Sequence, residues 1–255
     1  MAKPAFPCRT ISLKKTKLGE SDLIITALKD DGSLLKGVAK GARKPSNQFA
    51  TRLEVFSVCD CLVAPGRSLH VFSEARCVRP HLRLRTDLDS AIAAAPIVDA
   101  LAATAQEGLE IPRLFSMSCA ALDAIEDCEA DAAPAVTAAF LLKLLAMLGL
   151  RPCFTDCICC GAPLDVNAAS TRIAFSFQDG GAVCDGCATG FETIRFDTAL
   201  ISWCQALLMS RFCEVVEMNP SPEASFAVLE FLRGWFRENL GMNLKSLNFL
   251  LTEGL

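Results

Sequence analysis

Apolar and polar positions alternate over short runs through the first eighty-odd residues, which is the period of half-buried strands. "RTISLKKTKL" and "DLIITALKD" flank a turn-like break, "GES", at Gly19 to Ser21. "GSLLKGVAKGA" follows "KDDG", with Gly32 as the turn residue. "LEVFSVCDCLVA" is rich in β-formers, and "SLHVFSEARCV" comes after a turn at Pro65 and Gly66. Five short strands separated by turns suit a small barrel, and the five-stranded OB-fold is such a barrel, often one that binds nucleic acid.

After Arg85 the period becomes helical. "TDLDSAIAAAPIVDALAATAQEG" opens on an acidic first turn and closes on Gly108, and its internal Pro96 predicts a kink or a break into two helices. Pro112 and Pro134 sit where helices begin in "IPRLFSMSCAALDAIEDC" and "APAVTAAFLLKLLAMLGL". These segments are apolar around most of their circumference, which predicts a compact bundle. Residues 153–196 interrupt it with cysteine pairs and a strand-like "RIAFSF". Helices resume in "DTALISWCQALLMSRF" and "SPEASFAVLEFLRGWFRENLG". The expected organisation is an α+β multidomain chain: a barrel over 1–85, a helical body over 86–152 and 197–255, and a cysteine-bearing insertion over 153–196.

Composition narrows the class. Residues in the hydrophobic set make up 52% of the 255, and charged residues 21%, with no low-complexity tract. The first residues lack the apolar core of a signal peptide, and the longest apolar stretch, "AAFLLKLLAMLGL", is shorter than a membrane span and carries Lys143. The expectation is a soluble, cytoplasmic protein with no membrane partner. In that setting the fourteen cysteines are reduced thiols by default. Cys59, Cys61, Cys77, Cys119, Cys128, Cys204 and Cys213 have apolar neighbours and read as core filler.

The net charge of −4 conceals an asymmetry. Residues 1–85 carry a balance of +9 and residues 86–255 one of −13. A basic head on an acidic body is the pattern of a domain that meets a polyanion. "LLKGVAKGARKPSNQF" concentrates Lys36, Lys40, Arg43 and Lys44 beside Gly37 and Gly41, residues small enough to let a backbone approach phosphates. Lys14, Lys15, Lys17, Arg52, Arg67, Arg76 and Arg79 add cations in the same region. Phe49, Phe56 and Phe72 either stack on bases or fill the barrel.

Two C-x-x-C elements, Cys157–Cys160 and Cys184–Cys187, have the ligand count and softness of a tetrahedral zinc site. "RIAFSFQDGGA" between them could form a spanning hairpin. Four protein ligands leave no open position, so one such Zn2+ per chain would be structural. A redox pair is the alternative, although it would normally sit near a βαβ unit and needs no second pair. Cys153 and Cys159 are spares, and Cys159 could replace Cys160. His70 and His81 belong to no nucleophile pattern and read as structural or surface residues. No phosphate-binding P-loop and no acidic metal motif is present.

"ISLKKTKLGESDLIITALKDDGSLLKGVAKGARKPSN" resembles the N-terminal region of the bacterial DNA repair protein RecO family. The family's Gly-Glu-Ser/Ala-Asp step is matched by Gly19 to Asp22, and its Lys-Gly-Ala-Arg segment with a following Ser by Lys40 to Arg43 and Ser46. The similarity continues through "DCICCGAP…FSFQDGGAVCDGC" to a terminal "NLKSLNFL". It implies an N-terminal OB-fold, a helical body and a zinc element. It also implies a non-enzymatic mediator that binds single- and double-stranded DNA, anneals complementary strands and works with RecR to load RecA on DNA covered by single-stranded DNA-binding protein. The competing readings are a zinc-dependent or thiol enzyme built on the C-x-x-C pairs, and a protein-interaction scaffold whose basic barrel is incidental.

Overall fold

The computed structural model describes residues 4–44, 47, 49–165 and 172–253. Five strands close a barrel: β1 (Phe6–Leu18), β2 (Asp22–Lys29), β3 (Leu34–Ala39), β4 (Val58–Ala64) and β5 (His70–Arg79), in the order β1-β2-β3-β5-β4. All neighbours are antiparallel except β3 and β5, whose parallel pairing closes the barrel. This is the OB-fold-like N-terminal barrel expected from the strand pattern. A four-residue helix, α1 (Phe49–Arg52), follows β3, so the run from Leu53 becomes a strand only at Val58.

The barrel interior is filled by Leu23, Ile25, Leu35, Val63, Phe72 and their neighbours, with Phe49 packed against them. Phe56 is buried as well, so the three phenylalanines take the packing role. Gly37 serves this packing. A Cβ there would lie 2.7 Å from the Phe72 ring, so the glycine makes room for an aromatic core rather than for a phosphate. At Gly32 the positive φ of 84° makes the turn, and Ile111 N–H reaches back to Asp31 O at 3.1 Å.

The chain divides into two compact units, Met1–Glu126 and Asp127–Leu255. Besides the barrel, the first contains α2 (Arg83–Thr86), α3 (Leu88–Thr104) and most of α4 (Leu114–Asp127). Helix α3 starts on Asp87, whose carboxylate accepts from Ser90 N–H at 3.1 Å, and runs unbroken through Pro96. The expected break is absent because Ala93, Ala94, Ile97 and Leu101 are all buried around the proline. That burial outweighs the one backbone bond that proline forfeits. The buried ring of His81 sits between Phe56 O, 2.8 Å from Nδ1, and Asp123 Oδ1 on α4, 3.0 Å from Nε2, which is a structural role.

In the second unit α5 (Ala133–Met147) buries twelve of its fifteen residues. Helices α6 (Thr198–Met209), α7 (Phe212–Met218) and α8 (Pro222–Leu240) pack around it, and α9 (Lys245–Glu253) packs on α8. With the preceding 3-10 turn, Ala130–Met147 reaches 18 residues, longer than the sequence suggested. That window is 72% buried inside the protein, so it is a core helix. Lys143, within it, donates to Leu207 O and Leu208 O at the end of α6, and desolvation pushes its ammonium down to about 8.

Strands β6 (Arg172–Ser176), β7 (Gly181–Val183) and β8 (Ile194–Asp197) form a small antiparallel sheet, with β6–β7 the hairpin between the cysteine pairs. Phe154, Phe175, Phe177 and Phe196 join Phe231 and Trp235 of α8 in one aromatic cluster, with Phe175 and Phe231 centroids 5.2 Å apart. Trp235 Nε1–H donates to Leu150 O at 3.0 Å, and Asn239 to Phe177 O at 3.1 Å. The aromatic seam fastens the sheet to the helices.

Candidate functional site

The two motif segments of the barrel interlock at one of its ends. The Asp22 carboxylate accepts Gly41 N–H at 2.8 Å and the Ser21 hydroxyl at 2.9 Å. Arg43 N–H donates to Ser21 O at 2.9 Å, and its guanidinium to Glu20 O at 2.8 Å and Gly19 O at 3.1 Å. Gly41 N–H, then Ser21, hold the Asp22 carboxyl below its usual range. Thus the acidic step after β1 and the basic step after β3 are halves of one turn assembly. Ser46, the last residue of the motif, lies outside the described residues.

This assembly sorts the cations predicted from sequence. Lys14 pairs with Thr26 on β2, and Thr26 with Lys36 on β3. The two lysines therefore share a cross-strand row on the outer face, two strand spacings or about 10 Å apart. Lys17 lies in the row of Leu23 and Ala39, next to Lys40, and Lys44 follows in the loop. Lys14, Lys17, Lys36, Lys40 and Lys44 are exposed, and none has an ion-pair partner among the described residues.

All but one of the remaining predicted cations are occupied. Lys15 points toward the barrel end and pairs with Glu54. Arg43 is spent on carbonyls, and Arg52 donates to Ala75 O at 3.1 Å. Arg76 shares Asp60 with Arg9, at 2.9 and 2.7 Å, along a row crossing β1, β4 and β5. Arg79 pairs with Asp123. A cleft of about 1300 Å³ on that side is lined by Arg9, Arg52 and Arg76 but also by Asp30, Asp60 and Glu74, so its charge is balanced. Lys14 and Lys36 thus stand on the outer β1–β2–β3 face, Lys40 and Lys44 follow in the turn after β3, and Lys17, in an inward row, is exposed at the end of β1, while Arg52 and Arg76 lie away from them.

Arg67, the other supporting cation named from the sequence, is exposed in the β4–β5 loop. That loop delivers His70 and Val71 to their pairing with Gly37 and Val38, beside Lys36. In OB-folds the β2–β3 face and the loops after β1 and β4 are where oligonucleotides bind. The alternation of strand residues could have flagged Lys14 and Lys36 as outward-facing, but no local signal ties Arg67 to β3.

The second candidate centre lies in the insertion. The sulfurs of Cys157, Cys160, Cys184 and Cys187 all lie within 4.8 Å of one another, and Cys160 and Cys184 are 3.8 Å apart. A tetrahedron with metal–sulfur bonds of about 2.3 Å has edges of about 3.8 Å, so the spacing fits a closed four-thiolate site. Cys160, not Cys159, completes the set. The Cys157 thiol is lowered to about 6, chiefly by the backbone N–H of Cys184 and next by that of Cys160. Cys187 moves upward because it shares a proton with its neighbours, Cys184 first. Four sulfurs this close cannot all be thiolates without a cation between them.

The other cysteines behave differently. Burial pushes Cys8 up to about 12 and Cys61 to about 11, and raises Cys59 and Cys204 as well. Cys59, Cys61, Cys128 and Cys204 are buried as core filler, and Cys77 and Cys119 are half-buried. Cys213 is exposed at the start of α7, which corrects its filler assignment. Its neighbour Phe212 faces inward, and the helical period turns Cys213 outward.

Two family models match the chain: "Recombination protein O N terminal" over residues 1–81 and "Recombination protein O C terminal" over residues 85–248. The chain is also similar to the DNA repair protein RecO of Roseiflexus sp. (strain RS-1), 33% identical over 98% of this chain and 86% of that protein. A second relative of that name, from Desulforamulus reducens, is 27% identical over 94% of this chain and 91% of its own length. With both halves matched in order and a relative aligned along nearly its whole length, the chain belongs to the recombination protein O family.

Proposed function

We propose that this protein is a recombinational DNA repair mediator that binds single- and double-stranded DNA on the lysine face of its barrel and anneals complementary strands. In the cell it would act in the cytoplasm, at the nucleoid, and with RecR would help load RecA onto DNA covered by single-stranded DNA-binding protein. Family membership supports the general role. The observation that carries the DNA reading is the set of five exposed lysines without an ion-pair partner among the described residues, Lys14 and Lys17 on β1, Lys36 on β3, and Lys40 and Lys44 in the turn after it. Neutralising phosphates lowers the repulsion between two strands, so annealing needs cations and no catalytic group.

The test is DNA binding and annealing by the full-length protein from about 50 to 200 mM salt, beside a Lys14→Gln, Lys36→Gln, Lys40→Gln, Lys44→Gln variant. Losing four phosphate contacts should weaken binding by about tenfold or more at the lower salt. Unchanged binding and annealing would remove the barrel face from the function and leave the scaffold reading.

We further propose that Cys157, Cys160, Cys184 and Cys187 hold one structural Zn2+ per chain. The fit of the sulfur spacing to a tetrahedron supports this. Bound there, zinc would be closed to substrate and would hold the insertion together. Metal analysis should give one zinc per chain with all four thiols protected from alkylation. A metal-free protein with freely reactive pairs would favour the thiol-enzyme reading instead.

A further inference from the structure

We infer that the lysine face holds a nucleic acid strand by its phosphates alone and leaves the bases free to pair. This deepens the DNA-binding reading proposed above and rests on it. Three observations converge. First, the unpartnered cations on the strands of the face are all lysines, which act as point charges on phosphate rather than as planar forks for base edges.

Second, all but one of the arginines within the barrel, residues 6–79, are already engaged. Arg9 and Arg76 hold Asp60, Arg43 holds the turn carbonyls, Arg52 holds Ala75 O, and Arg79 holds Asp123. Arg67 is the exception, and it lies in a loop off the strands. Third, the strands that carry the lysines present no exposed aromatic ring. The aromatics of residues 1–126 are Phe6, Phe49, Phe56, Phe72 and Phe115, and every one is buried or half-buried. Phe6, Phe49 and Phe72 pack in or against the barrel core. Aromatic stacking supplies much of the affinity of single-strand binders that grip bases, and this face lacks it.

A strand held in this way turns its bases outward, where a complementary strand can meet them. The same face should accept a duplex, whose phosphates are equally available, and should not distinguish sequences.

The experiment compares the full-length protein on three labelled 25-mers: oligo(dT), a phosphodiester strand of the same length with abasic sites throughout, and a duplex. Oligo(dT) and the abasic strand should bind within about twofold of each other, with equal salt slopes near −3.5 for five phosphate contacts. Permanganate should attack the thymines of bound oligo(dT) as fast as those of the free strand. A Lys14→Gln, Lys36→Gln variant should lower both slopes by about 1.4. Should that variant not fold, Lys17→Gln, Lys40→Gln at the barrel end should do the same. Tenfold tighter binding of oligo(dT) than of the abasic strand, or protection of bound thymines from permanganate, would overturn the phosphate-only mode while leaving DNA binding intact. Binding of none of the three would overturn the DNA reading, and this inference with it.

Discussion

The barrel and the cysteine element depend on charged or ionisable groups in opposite ways. On the barrel, Lys14, Lys17, Lys36, Lys40 and Lys44 are exposed and none forms an ion pair among the described residues, although Lys40 and Lys44 stand near Asp22. In the insertion, four thiols converge on a single point. The barrel has a closed hydrogen-bonded sheet and a twelve-residue buried core to support its surface, so its charges are available for a partner. Among the described residues, the cysteine element buries only Cys157, Ala174 and Val183 in a core of its own. Such a core is too small to stabilise a fold, and its polar groups must serve the architecture. A region can present its charge outward only where something else holds it together.

Removing the proposed metal should break that contrast most severely. A Cys184→Ser substitution or a strong chelator should destabilise the second unit by on the order of 4 kcal/mol or more, given the folding energy a structural zinc supplies. Thermal unfolding followed by near-ultraviolet circular dichroism would show it. DNA affinity, which we propose the barrel carries, should change by less than about twofold, a shift too small to signal a lost phosphate contact. A large loss of DNA binding on chelation would show that the two regions are not independent in this way.

The reciprocal break needs a single methyl group. Gly37→Ala would place a Cβ 2.7 Å from the Phe72 ring. Overpacking of this kind costs about 1–3 kcal/mol, and it should lower the barrel's urea midpoint while zinc content stays the same. A neutral outcome would mean that Phe72 can move aside.

Asp22→Ala tests whether the lysines must be positioned or merely present. It removes a negative charge next to Lys40 and Lys44, which on charge alone should tighten DNA binding. It also releases Gly41 N–H and Ser21, and with them the turn that carries the lysines. Weaker binding is therefore expected, and tighter binding would show that position is unimportant. Since folding lowers the Asp22 pKa, its stabilising effect is complete above the unfolded value of about 4 and is lost as pH falls through the lower folded value. An acid titration should show the wild type losing its stability advantage over Asp22→Ala in that window.

The smallest effect is expected at Cys159, which is exposed beside the cluster but outside the set of four. Cys159→Ser should keep a full equivalent of zinc and change stability by no more than about 0.5 kcal/mol. Loss of zinc in this variant, with retention in Cys160→Ser, would reverse the ligand assignment.

Much of this molecule is legible one segment at a time. The period-2 runs mark all five barrel strands, Gly32 marks a turn, and Ser221 and Gly241 bracket α8 as its caps. The paired C-x-x-C elements announce a metal-sized cluster, because two tight turns each present two sulfurs whatever the rest of the chain does. The excess of cations before residue 86 is likewise a property of composition. All of these depend on neighbours a few residues apart.

Partners distant in sequence decided the remainder. Lys14 and Lys15 are adjacent, yet one stands on the open face and the other pairs with Glu54, because the bulge between Ser12 and Lys14 sets which way each points. Arg43 sits in the most basic stretch of the chain but is held by carbonyls more than twenty residues earlier. Gly37 answers to Phe72 across the barrel, and Pro96 stays helical because burial on either side of it outweighs its missing bond. Sequence by itself determined which elements form and which charges and thiols the chain carries, since those follow from local stereochemistry and residue type. Only the tertiary structure decided which of those charges are free, since register and packing choose each side chain's partner from residues far along the chain.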